Sequence, residues 1–368
     1  MKKLSALLVA VLCAVSLTGC EDKIENSISQ VQQAVDTERE SPVVLTQESV
    51  IVNETFASPA KYRAFLDSSE RDWLIPGLKQ HMVPQGLAQS AESGLTYISA
   101  YSSDKEASAV MVLDRDGTFV AEYLFYKDET TPLTYHLGGV AVTDTTLFVS
   151  YDGDGAYRVV AIPHEELTLS GSQTVIVDTV YETPVATSFL SYYDGILWMG
   201  NFYLPDADYG LMRELNTPVD TADGQYGCFI AGFDLREGGN ARLIQARGSR
   251  YATPDYVLAA PTKVQGMVFD PATSTVILSR SWGRKNDASL SLYTVDLTAE
   301  AETMVSLNGV ELPCHLLDTP DRVVTTMPMT EGITLDGNGG VRVLFESGAE
   351  KYADGYHRTD RIWSYTYR

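Results

Sequence analysis

The sequence predicts an all-β fold, a β-propeller of five four-stranded blades closed by an N-terminal strand. Three observations carry this. First, a strand entered by a glycine recurs, at Pro84-Gln-Gly-Leu-Ala88, Leu137-Gly-Gly-Val-Ala-Val142, Val264-Gln-Gly-Met-Val268 and Glu331-Gly-Ile-Thr-Leu335. A degenerate copy near Thr187 has Ser188 in the glycine's place. Second, the copies open units of about 40–50 residues with room for four short strands, a repeat length typical of propeller blades. Third, the last unit is one strand short, and residues 43–56 carry the β-branched runs Val43-Val44 and Val50-Ile51-Val52 that could supply it. Six blades, one of them hidden in a long insertion, is the alternative.

Residues 1–19 read as a lipoprotein signal peptide. Lys2 and Lys3 give a positive start, Leu4–Leu17 an apolar run, and Leu17-Thr-Gly-Cys20 matches the box cleaved before a lipidated cysteine. An ordinary secretory signal with a chance cysteine is the alternative. The match implies an extracytoplasmic protein anchored to a bacterial membrane through lipid on Cys20, lying on the membrane without spanning it. Residues 20–42 are polar and acidic, with Ile24, Ile28, Val31 and Val35 on one helical stripe. They read as a tether, and 43–368 as the propeller domain.

Within that domain Ser58-Pro59 predicts a short helix over 59–66, with proline at its first position. Unit one has strands at Gln85–Gln89, Thr96–Tyr101, Ala109–Leu113 and Thr118–Tyr126, with Asp114-Arg-Asp-Gly117 as the last turn. Unit two has strands near Val140, Leu147–Tyr151, Tyr157–Ile162 and Val175–Val180. Unit three carries an insertion at Leu204–Tyr226. Unit four has strands at Val264–Asp270, Thr275–Ser281 and Ser289–Leu297, then a loop around Cys314. Unit five has Ile333–Leu335, Val341–Phe345 and Arg361–Tyr367.

The chain carries a formal charge of −22, and removing Lys2 and Lys3 with the signal leaves −24. Such a body repels phosphate backbones, which argues against nucleic acid as a partner. Cys13 leaves with the signal and Cys20 takes lipid. Cys228 and Cys314 remain as a candidate disulfide or as two buried thiols.

In a propeller the starts of the first strands and the ends of the second strands converge on one channel mouth. That rule selects Gln85, His136, Gln265 and Glu331 from the first set, and Tyr101, Asn201, Trp282, Arg284 and Glu346 from the second. Convergent polar groups beside aromatics suit ligand binding. A tryptophan two residues from an arginine can stack on a sugar or planar ring and hold a carboxylate by its fork. His136 and Glu331 could act as acid and base. No serine stands in a G-x-S-x-G elbow. Asp152-Gly-Asp-Gly155 and Asp336-Gly-Asn-Gly-Gly340 lack the rest of a calcium loop and read as tight turns.

These same pieces, with Tyr193-Asp-Gly195, Ser281-Trp-Gly-Arg-Lys-Asn286 and Glu346-Ser-Gly-Ala349, resemble a group of secreted bacterial propeller proteins without settled function over roughly residues 80–350. There is also a distant likeness to the calcium-dependent propeller lactonases and paraoxonases. That likeness implies a calcium held by channel carboxylates and asparagines, for which Glu331, Asn201 and Glu346 would qualify. Gln85 and Gln265 stand where stronger ligands would be expected, so no cofactor is predicted outside that reading. The leading expectation is a propeller that binds a glycan or peptide at its channel mouth. The alternatives are a metal-dependent hydrolase or lactonase at the same place, and a scaffold for an envelope complex using the outer blade faces.

Replacing Cys20 by alanine is expected to abolish incorporation of labelled fatty acid and to leave an unprocessed or soluble form. Unchanged labelling of Cys20→Ala would overturn the anchor.

Overall fold

Five sheets of antiparallel strands stand around a common axis in the computed structural model, which describes residues 44–51, 54, 56, 58–153, 156–205, 219–221 and 224–368. The propeller occupies the compact unit Leu45–Arg368. The expected signal segment, Cys20 and the expected tether lie outside the described residues. Among the described residues no helix is long and apolar enough to cross a membrane.

Blade one is Met82–Gln89, Thr96–Ser102, Ala109–Leu113 and Phe119–Tyr126. Blade two is Val140–Val142, Thr146–Gly153, Ala156–Pro163 and Val180–Glu182. Blade three is Phe189–Tyr193, Ile196–Gly200, Cys228–Asp234 and Tyr256–Ala260. Blade four is Val264–Asp270, Thr275–Arg280, Ala288–Thr294 and Arg322–Thr326. Blade five is Thr330–Leu335, Gly340–Phe345 and Arg361–Thr366, completed by Ser69–Leu74 from the N-terminal side.

The recurring glycines sit where the first strands crowd the axis. A Cβ on Gly86 would lie 2.8 Å from the Val140 nitrogen, and one on Gly139 2.3 Å from the Leu190 nitrogen. On Gly266 it would meet the Ile333 nitrogen at 3.1 Å, and on Gly332 the Leu87 nitrogen at 2.5 Å. Each glycine thus lets its strand touch the backbone of the next blade, the close approach for which glycine is used within strands. Serines on second strands tie this hub together. The Ser99 hydroxyl accepts from Gly86 N at 3.0 Å and donates to Leu137 O at 2.7 Å, and Ser279 donates to Glu331 O at 2.6 Å.

Five hydrophobic clusters fill the five gaps between neighbouring blades. Val112, Phe125 and Val149 lie between blades one and two, and Phe148, Leu197 and Phe229 between two and three. Trp198, Leu258 and Leu278 follow, then Ile277, Phe345 and Trp363. Leu87, Ile98, Leu344 and Ile362 fill the gap where the ring closes.

Closure differs from the expectation. The strand that completes blade five is Ser69–Leu74, with Ser69 opposite Tyr365 and Arg71 opposite Trp363, and not residues 43–56. That strand reads S-E-R-D-W-L and is half exposed, so it lacks the apolar alternation by which a strand is recognised. The earlier segment is instead a strap held by side chains. Leu45 N donates to the buried Glu122 carboxylate at 3.0 Å. Val50 N and Ile51 N donate to buried Asp360 at 2.8 and 3.0 Å. The helix forms as Pro59–Tyr62 and Arg63–Leu66, although the Ser58 hydroxyl caps nothing.

Two insertions return to the preceding blade. Gly171–Ile176 runs parallel to Phe119–Tyr126 on the outside of blade one, so the fourth strand of blade two is Val180–Glu182 and not Val175–Val180. The loop expected around Cys314 is a hairpin, Thr303–Leu307 with Val310–Leu316, turned by Asn308-Gly309 and laid parallel to Tyr256–Ala260 of blade three. This placement decides the cysteines, which are free buried thiols. Strand Tyr256–Ala260 lies between the strand of Cys228 and that of Cys314. Strands about 4.8 Å apart put next-nearest neighbours beyond the reach of a disulfide. The Asp114 and Asp336 segments are tight turns, each with Asp Oδ1 accepting two backbone amides.

Deleting residues 1–57 is expected to destabilise the ring by on the order of 3–6 kcal/mol relative to deleting 1–43. It exposes the Leu45 pocket and strips partners from Glu122 and Asp360. Deletion through residue 75 is expected to prevent folding altogether. Equal melting temperatures for the first two variants would refute the strap.

Candidate functional site

All five blades contribute to one cavity of ≈ 570 Å³ at the channel mouth. Of the nine expected residues, Gln85, His136, Gln265, Trp282, Arg284, Glu331 and Glu346 line it. Tyr101 sits behind His136, stacked on its ring with centroids 3.9 Å apart. Asn201 is turned away. It is fully buried, its Nδ2 donates to Gly227 O at 3.0 Å, and its Oδ1 accepts from Phe229 N at 2.7 Å. The next residue, Phe202, lines the cavity instead, with its ring 5.7 Å from that of Trp282.

The polar centre is a pair of carboxyl groups. Glu331 comes from the first strand of blade five and is 4% exposed; Glu346 follows the second strand. The two side chains line the same cavity, near enough for each to influence the other's ionisation. Burial raises the pKa of Glu331 well above the usual carboxyl range, and the neighbouring Glu346 raises it further. Burial also raises Glu346, against the lowering effect of hydrogen bonds from Tyr352 and Gln85 and the charge of Lys351. The Gln85 Nε2–Glu346 distance is 3.1 Å.

Cations stand near the pair but are engaged elsewhere. Lys351 donates to Tyr101 Oη at 2.6 Å. Arg284 pairs with Asp354 at 2.5 Å and lies over the Tyr352 ring, 4.9 Å from its centroid. His136 lines the cavity and is exposed to it, within a ring of surrounding protein. Lost hydration, with a smaller contribution from the Lys351 charge, lowers its pKa to about 4, so it is neutral at pH 7. It therefore holds no proton to donate at pH 7 and is a weak base, and it stacks on Tyr101.

Tyr352, Tyr157 and Phe202 were not among the expected residues. Phe202 was one residue from a selected position, and alternation along the chain decides which of two neighbours faces a cavity. Tyr352 lies in an irregular segment after Glu346, where strand-end reasoning has no purchase.

The donor set does not fit a resident calcium, which takes about six to eight oxygens. Here only the carboxyls of Glu331 and Glu346 are offered, Asn201 is spent on backbone, and Gln85 and Gln265 offer only amides. Among the described residues no three His, Cys, Asp or Glu side chains are grouped to hold a metal ion.

No family model and no curated protein matches the chain. Solved structures do. A GH43_1 enzyme from Xanthomonas citri is 12% identical, with 83% of this chain and 92% of that one covered and a TM-score of 0.41. A chain described as glucose dehydrogenase is 11% identical, with 82% and 99% covered and a TM-score of 0.40. Kuenenia stuttgartiensis hydrazine synthase is 10% identical at a TM-score of 0.31, with 71% of this chain covered, and here the chain spans only 55% of its relative. The likeness is one of fold. The chain is a five-bladed β-propeller with a polar and aromatic cavity on its axis.

The carboxyl pair makes stability depend on pH. A folded pKa above the unfolded value of about 4.5 gives stability that is complete below the unfolded pKa and is lost as pH rises through the folded one, about 7 for Glu346. The double variant Glu331→Gln/Glu346→Gln is expected to gain on the order of 2–3 kcal/mol over wild type at pH 8 and little at pH 4.5. Denaturant melts at the two pH values check this, and a difference independent of pH would refute it.

Proposed function

We propose that this protein is a lipid-anchored, extracytoplasmic propeller that binds a small or extended ligand of the glycan or peptide class at its channel mouth. The observation that carries the binding reading is the cavity of ≈ 570 Å³, shared by all five blades, with an aromatic wall of Phe202 and Trp282 and a floor of carboxyl and amide groups. A cavity of this size suits a small molecule or a few units of a polymer. Aromatic faces take the apolar side of a sugar ring or a side chain, while the amides of Gln85 and Gln265 set orientation. The anchor is supported by Lys2, Lys3, the apolar run and Leu17-Thr-Gly-Cys20.

Binding is favoured over calcium-assisted lactone hydrolysis by the donor set, since among the described residues no three His, Cys, Asp or Glu side chains are grouped to hold a metal ion.

Titration of a glycan and peptide panel against wild type, Trp282→Ala and Arg284→Lys tests the site. Trp282→Ala is expected to weaken binding about tenfold or more by removing a stacking face, and Arg284→Lys a few-fold by losing the planar fork. Both should melt like wild type. Binding unchanged in both folded variants would move the site to the outer blade faces.

A further inference from the structure

We infer that the ligand brings a primary ammonium group to the channel floor, where the carboxyls of Glu331 and Glu346 receive it. This rests on the binding reading above and names the chemistry of one end of the ligand.

Three groups with acceptor oxygens line the cavity together. Two are the carboxyls of Glu331 and Glu346, and the third is the side-chain amide of Gln85. Its Nε2 donates to Glu346 at 3.1 Å and to Pro84 O at 2.8 Å, which leaves Oε1 as the acceptor. That oxygen accepts no hydrogen bond from a described residue, although Gln85 is only 9% exposed and lines the cavity.

Among the described residues the nearby cations are engaged elsewhere: Lys351 is bonded to Tyr101 and Arg284 to Asp354, while His136 is neutral. Tyr101 lies 3.5 Å from the Tyr352 hydroxyl. Burial and the neighbouring Glu346 favour a protonated Glu331, because two adjacent carboxyls do not readily ionise side by side. An ammonium has three N–H donors and no acceptor, which suits three acceptors. A hydroxyl would leave acceptors unfilled, and a guanidinium would need a planar fork. Aromatic faces at Phe202 and Trp282 take the body of the ligand and add attraction for a cation.

The exchange balances simply. The ammonium enters with its three protons, the carboxyl proton leaves Glu331 for solvent, and no bond between heavy atoms changes. An amino sugar and a lysine side chain of a peptide both present this group, so the test uses one of each with its neutral twin.

The probes are a glucosamine disaccharide and a blocked lysine tripeptide, each compared with its N-acetylated form. Calorimetric titration of the full protein at pH 6, in two buffers of different ionisation enthalpy, counts protons. At least one amine probe is expected to bind with release of about one proton and about tenfold or more tighter than its acetylated twin. Its affinity should rise from pH 5 to pH 7. Glu331→Gln, or Glu346→Gln should the first not fold, is expected to remove the preference over the twin. Which amine binds identifies the source. Equal binding of the twins, binding without proton release, or displacement of the proton by calcium while neither amine binds would overturn the ammonium. If neither amine binds but a neutral glycan does, and Trp282→Ala weakens it, the binding reading stands and this inference falls. If nothing on either panel binds, both fall.

Discussion

Backbone-to-backbone contact at the hub is the constraint on which the rest of this propeller depends. Five first strands converge on the axis, and a Cβ at Gly86, Gly139, Gly266 or Gly332 would intrude on the next blade's main chain. Only hydrogen atoms fit there. The serine hydroxyls of the second strands then satisfy polar groups that no ladder can reach, as Ser99 does between Gly86 and Leu137. Once the strands are this close, each blade's faces are committed to their neighbours, and five separate apolar clusters fill the gaps.

This constraint is also why the fold was legible. A glycine demanded by close approach recurs at the same place in each repeat, so it marks the start of a blade and the position of the channel. Seven of the nine residues chosen by that logic do line the cavity. What escaped notice is governed by other forces. Ser69–Leu74 closes the ring through main-chain pairing and through Arg342, which reaches Asp72 at 3.0 Å and lies over Trp73. Such polar and cation–π contacts leave no periodic trace. The returning strands at 171–176 and 303–316 pair with blades they do not follow in sequence, and parallel pairing of this kind is not encoded by nearby residues. Of the two readings of Cys228 and Cys314, buried thiols hold and the disulfide does not, because an intervening strand from blade three separates the pair.

Asn201 shows a different limit. Its residue type suits a ligand, and its position beside the channel is right. Yet the chain leaves the second strand of blade three there, and the side chain is needed to satisfy Gly227 O and Phe229 N. A buried amide is worth more filling backbone vacancies than left exposed to a cavity. The neighbouring Phe202 inherits the wall.

The electrostatics of the cavity follow from how the hub is built. Gly332 brings blade five against blade one, and that contact places Glu331 beside Gln85 and holds it out of bulk water. Glu346, at the end of the adjoining strand, lines the same cavity. The cations Lys351 and Arg284 are bonded to Tyr101 and Asp354. A strongly acidic protein thus places two of its acids on the wall of its channel cavity, where burial favours a protonated Glu331. That arrangement is costly for a merely structural channel, where two glutamines would satisfy the same hydrogen bonds without a buried charge. Its retention is best understood as readiness for a positive group that comes from outside.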